Sequence, residues 1–194
     1  MKNITFEPIN HEYFMDGKEY PSYSKIVKHF GMTPDYERFG NDASRDFGSA
    51  VHHLTKLYDT NNLGSYDPRL QPRLNGYKMF LDHFKPKWKL TETPMISERW
   101  GFAGTPDRFG GFMGRNSLID FKSGSEDPSH GLQTAAYQIL VEENLEVPVR
   151  RRYSLYILDN NFKLIEHKNP SDKTIFIGLA QAYRWKLKHK RNGE

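Results

Sequence analysis

At 194 residues, 37% hydrophobic and 14% aromatic, the chain has the size and apolar content of one α/β domain rather than two. A formal charge of +4 with an isoelectric point near 9.1 permits a polyanionic partner without requiring one. With no cysteine, the chain has no disulfide, thiolate zinc site or iron–sulfur cluster, which fits a reducing compartment.

The opening "MKNITFEPINHEYF" lacks the apolar run of a signal peptide, and no uncharged apolar stretch is long enough for a bilayer, so a soluble, cytoplasmic protein is expected. "HEYFMDGKEYPSYSKIV" predicts a hairpin turning at Asp16-Gly17, a pair that tolerates positive φ. A helix from about Ser24 follows, capped by Ser22 or Ser24. In "NDASRDFGSAVHHLTKLYDTN" the residues Ala43, Phe47, Ala50, Val51, Leu54, Leu57 and Tyr58 recur at helical spacing and form one apolar stripe. After a loop, "NNLGSYDP", a second helix runs through "PRLNGYKMFLDHFKPKW" and stops near Pro86.

From about Met95 the pattern turns to strands. "MISERWGFAGTPDRFGGFM" and "NSLIDFKSG" read as strands joined at Gly114-Arg115, "GLQTAAYQILVEENL" as a helix, and "RRYSLYILDNNFKLIEHK" as a hairpin about Asn160-Asn161. "DKTIFIGLAQAYRWKLKHKR" is a closing helix. The expected fold is α/β in a single domain: a hairpin and helices over about 1–90, then a central mixed sheet flanked by helices over about 95–194.

A two-residue turn at Gly114-Arg115 would set Met113 opposite Asn116, Phe109 opposite Asp120 and Asp107 opposite Lys122. Strand side chains alternate, so Asp107, Asp120 and Lys122 then share one face, with Leu118, Ile119 and Phe121 around them. Two close carboxylates repel unless a cation lies between them, and one lysine cannot serve both at ligand geometry. Hard oxygen donors without sulfur favour Mg²⁺ or Mn²⁺. An ion-pair network on a solvent-facing sheet accounts for the same residues without a metal.

Four motifs in order carry a family resemblance: Gly48-Ser-Ala-Val-His52, Gly104-Thr-Pro-Asp107, Asp120-Phe-Lys122 and Gln133-Thr-Ala-Ala-Tyr137. Over about residues 10–140 the chain resembles the PD-(D/E)XK nuclease superfamily in its RecB-like, phage-type exonuclease branch. Its opening hairpin and helix resemble the entry of phage-type members, while the four-cysteine iron–sulfur cluster of several relatives is ruled out here. The resemblance implies a restriction-endonuclease-like core and Mg²⁺- or Mn²⁺-dependent hydrolysis of DNA at ends or in single strands. The setting would be recombination, repair or replication in a bacterial or phage-infected cell, with a recombination or single-strand-binding protein as companion.

By the same resemblance, Asp107, Asp120 and the main-chain carbonyl of Phe121 would ligate the metal and His52 would complete its shell. Lys122 would orient or deprotonate the attacking water, and Gln133 and Tyr137 would contact substrate or support the lysine. Glu98, ahead of the Gly104 motif, would bind a second metal through water, or else pair with Arg99 or Arg108. From the residues alone, His52 points nearly opposite the apolar stripe, which suits a ligand or a surface histidine.

Basic residues gather in "KPKWK" (85–89), "RRR" (150–152) and "KLKHKR" (186–191). Arg150, Arg151 and Arg152, with Tyr137, are the expected DNA contacts, and Trp88, Tyr153 and Trp185 are candidates for stacking on unpaired bases. A basic helix end also complements the helix dipole with no ligand at all. An endonuclease with the same core and a non-catalytic DNA-binding module are the alternatives to an exonuclease.

Overall fold

In the computed structural model, which describes residues 4–7, 12–33 and 42–189, turn chemistry sets the first layer. Asp16 (φ 50°) and Gly17 (φ 79°) both take the left-handed conformation and join β2 (Glu12–Met15) to β3 (Lys18–Tyr20). β1 (Ile4–Glu7) pairs antiparallel with β2 to complete a three-stranded sheet. Ser22 starts α1 (Tyr23–His29), its Oγ accepting from the Lys25 N–H at 3.1 Å.

Helix α2 (Asp42–Asp59) buries Val51, Leu54 and Thr55, whereas Ala43 is exposed, so the apolar stripe begins later than the spacing predicts. After a 3₁₀ turn at Pro68–Leu70, α3 (Gln71–Phe84) ends on Lys85 in the left-handed conformation. Lys87–Thr91 then forms a strand, β4, and not the continuation of a helix. The central sheet therefore takes its edge strand from the N-terminal part of the chain.

Met95 to Met113 is broken into three pieces: β5 (Met95–Ser97) and β6 (Phe102–Gly104) form a separate ribbon, and β7 (Arg108–Phe112) enters the central sheet. With β8 (Arg115–Lys122), β9 (Arg151–Leu158) and β10 (Asn161–Glu166), the sheet order is β10-β9-β8-β7-β4. All neighbours are antiparallel except β8 and β9, whose parallel pairing requires a crossover. Helix α4 (Ser129–Leu145) supplies it, and α5 (Ser171–Lys188) packs beside α4. The fold is an α/β arrangement with a central mixed sheet flanked by helices, as expected.

Alternation along β8 divides the interior into two cores. Ile119 and Phe121 join Val51, Leu54, Tyr77 and Phe80 under α2 and α3. Leu118 joins Phe109, Ala136, Leu140 and Phe176 under α4 and α5. The β7–β8 turn lies at Met113 (φ 48°) and Gly114 (φ 73°), one residue before the expected place, with Phe112 opposite Arg115. The β9–β10 turn is likewise one residue early, with Leu158 opposite Asn161. Among the described residues, no helix is long and apolar enough to cross a membrane.

Arg108 ties the two halves together from inside. Its side chain is fully buried over the Phe121 ring, 4.8 Å from the centroid. Its Nε donates to Asp59 Oδ2 at 2.6 Å, and its guanidinium also donates to the Asp107 carbonyl at 2.8 Å. The Tyr77 hydroxyl donates to the same Asp59 oxygen at 2.7 Å. Removing one partner from such a pair strands a buried charge, so Arg108→Leu should cost about 3–5 kcal/mol. Urea unfolding of the purified variant checks this, and Asp59→Asn added to Arg108→Leu should recover part of the loss.

Candidate metal centre

Arg108 pairs with Ile119, so the residue before it, Asp107, stands beside Asp120. Asp107 Oδ2 accepts from the Phe121 N–H at 2.6 Å, and its Oδ1 lies 3.3 Å from His52 Nδ1. Asp120 is 1% exposed. Lys122 Nζ lies 2.7 Å from Asp120 Oδ2, a close buried ion pair. The ammonium also donates to Gln133 Oε1 at 2.6 Å, and Gln133 Nε2 donates to the Tyr137 hydroxyl at 3.2 Å.

Two glycines let these elements meet. A Cβ at Gly48, one turn before His52 on α2, would lie 2.8 Å from Ser123 Oγ just beyond β8. A Cβ at Gly104 would lie 2.8 Å from Cε1 of Tyr137. Helix α2 thus meets the end of β8 closely enough to present His52 there, and α4 packs on the end of β6, three residues ahead of Asp107.

Electrostatics separates the two acids. Burial pushes Asp120 up to about 6, the Asp107 charge adds to this, and Lys122 pulls the other way. Burial opposes ionisation of Asp107 too, but the His52 charge and hydrogen bond with the Phe121 N–H outweigh it and hold Asp107 below its ordinary value. Burial works to lower His52, and Asp107 overrides it, so His52 is raised. Under α4, His130 Nδ1 meets the Tyr156 hydroxyl at 2.7 Å and His167 Nε2 meets Ser154 Oγ at 2.9 Å. Burial, then nearby cations, lowers these two to about 3 and about 4, so both are neutral near Lys122 at ordinary pH.

Sequence reasoning missed Glu92. It follows β4 at φ 42°, and its N–H donates to the Asp107 carbonyl at 2.9 Å. Single ligand atoms of His52, Glu92 and Asp107 lie within 4.8 Å of one another. Glu92 Oε1 is buried without a hydrogen-bond donor, and Oε2 is 3.3 Å from Lys56 Nζ. The available signal is an acid at the end of "KWKLTE", visible only once that segment is recognised as the strand beside β7. Glu98 is not brought to this cluster: it is exposed in the β5–β6 turn, whose Arg99 carbonyl accepts from Arg184 on α5. His52, Glu92 and Asp107, with Asp120 on the adjacent strand, make a donor set that suits a hard divalent cation.

The three arginines separate. Arg152 is buried and bonded to the Gly131 and Asn169 carbonyls and, at 3.1 Å, to Asp172, so its donors serve the α4–α5 junction and not a ligand. Arg151 is half-buried, 3.2 Å from the Tyr153 hydroxyl, and Arg150 is exposed. Tyr137, expected to contact DNA, is buried, its hydroxyl accepting from Gln133 and close enough to Asp120 and Asp107 to feel their charge. Trp88 and Tyr153 are packed in the core beneath α3, and only Trp185 of the three stacking candidates is exposed.

No family model and no curated protein matches the sequence. Among solved structures, a protein from Eubacterium rectale, provisionally described as an exonuclease, aligns with a TM-score of 0.52 at 10% identity. The alignment covers 86% of this chain and 75% of that one. That likeness shows a common fold. A second structure, SSO0001, aligns at a TM-score of 0.36 and 15% identity over 86% of this chain and 83% of that chain, too low to carry an argument.

The raised Asp120 yields a stability test. A carboxyl with a folded pKa of about 6 and an ordinary unfolded value near 4 favours the folded state below about pH 4 relative to neutral pH, and that benefit disappears as pH rises through 6. Asn cannot ionise. Asp120→Asn should therefore stabilise the metal-free protein by about 3 kcal/mol well above pH 6, with the difference vanishing below about pH 4. Urea midpoints of variant and wild type across pH measure the difference. The neutral histidines, which destabilise the fold as pH falls below 6.5, are common to both proteins and cancel.

Proposed function

We propose that the chain is a divalent-metal-dependent deoxyribonuclease of PD-(D/E)XK type that hydrolyses phosphodiester bonds at DNA ends. The observation that carries this is the convergence of Asp107 and Asp120 from adjacent strands, with His52 3.3 Å from one and Lys122 2.7 Å from the other. The shared fold with the Eubacterium rectale protein supports it. DNA as substrate and action in the cytoplasm, in recombination, repair or replication, go with this reading.

Mg²⁺ or Mn²⁺ would be held by His52, Glu92, Asp107, Asp120 and the Phe121 carbonyl, and would polarise the phosphate and acidify water. The chain's own groups do the rest. His52 and the Phe121 N–H orient Asp107. Gln133, itself held by Tyr137, fixes the Lys122 ammonium at the mouth of the acid pair, where it can position the attacking water and offset charge gathering on the phosphate. Burial at this point strengthens each of those interactions relative to water. Arg150 and Arg151 remain the arginines able to meet phosphates, while Arg152 is excluded by its bonds.

Linear and closed-circular DNA incubated with Mg²⁺ or Mn²⁺, with and without chelator, test the proposal. Linear DNA should be degraded, circles should survive, and chelator should stop the reaction. Asp120→Asn and Lys122→Ala should each reduce the rate by about a hundredfold or more. Cutting of circles would identify the endonuclease instead. Metal-independent binding without cleavage in every condition would replace the enzyme with a binding module.

A further inference from the structure

Helix α5 buries Asp172, Phe176, Ala180 and Tyr183, which lie along one side at spacings of three and four. Trp185 is two residues beyond Tyr183, about 200° around the helix, and so points away from that buried side. It is 64% exposed, the most of any large apolar side chain among the described residues. Gly178, seven residues earlier on the same side, would place a Cβ with nothing within 4 Å, so this outer side is open. The indole stacks on the His189 ring with centroids 4.5 Å apart and planes 22° from parallel. One aromatic face is thus supported from below and the other is free to stack.

The surroundings are cationic. From Lys173 to Gly193 the sequence has Lys173, Arg184, Lys186, Lys188, Lys190 and Arg191 and no acid; the last two lie outside the described residues. Lys173 pairs with Glu142, Arg184 reaches the Arg99 carbonyl at 3.4 Å and Lys186 Nζ lies 3.2 Å from His29 Nε2; with Lys188, the last two flank Trp185 in the sequence. The helix dipole accounts for cations at a C-terminus. It does not account for a tryptophan turned outward among them. An apolar protein partner would gain little from these charges, whereas a chain of phosphates carrying flat rings complements both features.

We propose that the Trp185 side of α5 is a docking surface for single-stranded nucleic acid. A base stacks on the indole, and phosphates lie against Arg184, Lys186 and Lys188. Helix α1 lies between α4 and the buried side of α5: its Tyr23 hydroxyl donates to the Ser129 carbonyl and its ring lies 6.1 Å from Tyr137, while His29 lies 5.2 Å from Tyr183. The strand's destination rests on the nuclease reading; its binding does not.

The test uses the full chain in chelator, with a labelled short oligothymidylate, so that no turnover intervenes. Trp185→Ala should weaken binding roughly fivefold to a hundredfold, the worth of one stacked base, and Trp185→Phe should restore most of it. Binding should quench tryptophan emission in the wild type, and the quench should be largely absent in Trp185→Phe although that variant binds. Lys186→Ala with Lys188→Ala should lower the salt slope by about 0.7 for each charge removed. Circular dichroism and sedimentation accompany each variant. Trp185→Ala binding as tightly as wild type overturns the proposal, and so does loss of a dimer in that variant, which would assign the surface to a second copy of the chain. If Trp185 governs binding but metal gives no cleavage, the nuclease reading fails and this one stands. Cleavage with Trp185-independent binding overturns the docking surface and leaves the nuclease reading in place.

Discussion

Two carboxylates placed side by side in a buried setting are the constraint around which this structure is arranged. Asp107 and Asp120 sit on neighbouring strands with little solvent to screen them, and the cost is visible in the rise of Asp120 to about 6. Each side of the sheet answers it differently. On the α4 side, Gln133 holds Lys122, whose ammonium lies 2.7 Å from Asp120. On the α2 side, the Arg108 guanidinium grips the Asp107 carbonyl and lies 3.7 Å from Glu92. The backbone of the acid cluster is thus fixed by a cation that stays out of it.

Crowding of like charge distinguishes the cluster from the chain's other buried ion pairs. Arg152 with Asp172, and Arg108 with Asp59, pair each buried charge and surround it with further hydrogen bonds. In the cluster, Lys122 lies 2.7 Å from Asp120 and Arg108 3.7 Å from Glu92, while Asp107 adds a further carboxylate between them and His52. Each added carboxylate raises the cost of ionising its neighbours, which a further cation would relieve.

How much of this is legible in the sequence varies with the range of the physics involved. Asp16-Gly17, Ser22 and the Gln133–Tyr137 helix are local statements, decided by a few adjacent residues, and the structure has them as expected. Glu92 and Arg108 are invisible as site residues because their roles depend on β4 lying beside β7 and on α2 crossing the sheet, contacts between segments far apart in the chain. Glu98 stands close ahead of Gly104 in the chain, but that proximity does not survive the separation of β5 and β6 into their own ribbon. Arg152 groups with its neighbours by charge, and strand alternation turns it inward.

The shifted β7–β8 turn shows why the central motif can still be read. Moving the turn from Gly114-Arg115 to Met113-Gly114 shifts each cross-strand partner by two residues, so Asp107 faces Asp120 and not Lys122. A shift of two leaves every side chain on its original side of the sheet, since the strand period is two. The spacing of Asp120 and Lys122 within one strand is immune to such sliding altogether. What the arrangement cannot absorb is an odd slip inside β7 or β8, such as a one-residue bulge within β7, which would turn Asp107 to the α2 side, turn Arg108 off it, and leave Asp120 alone with Lys122. The pairing from Arg108 to Phe112 runs without a bulge, while the neighbouring β4–β7 pair carries one between Trp88 and Leu90. Irregularity is tolerated one strand away from the acids, and regular pairing is kept where the parity of the strand decides whether they meet.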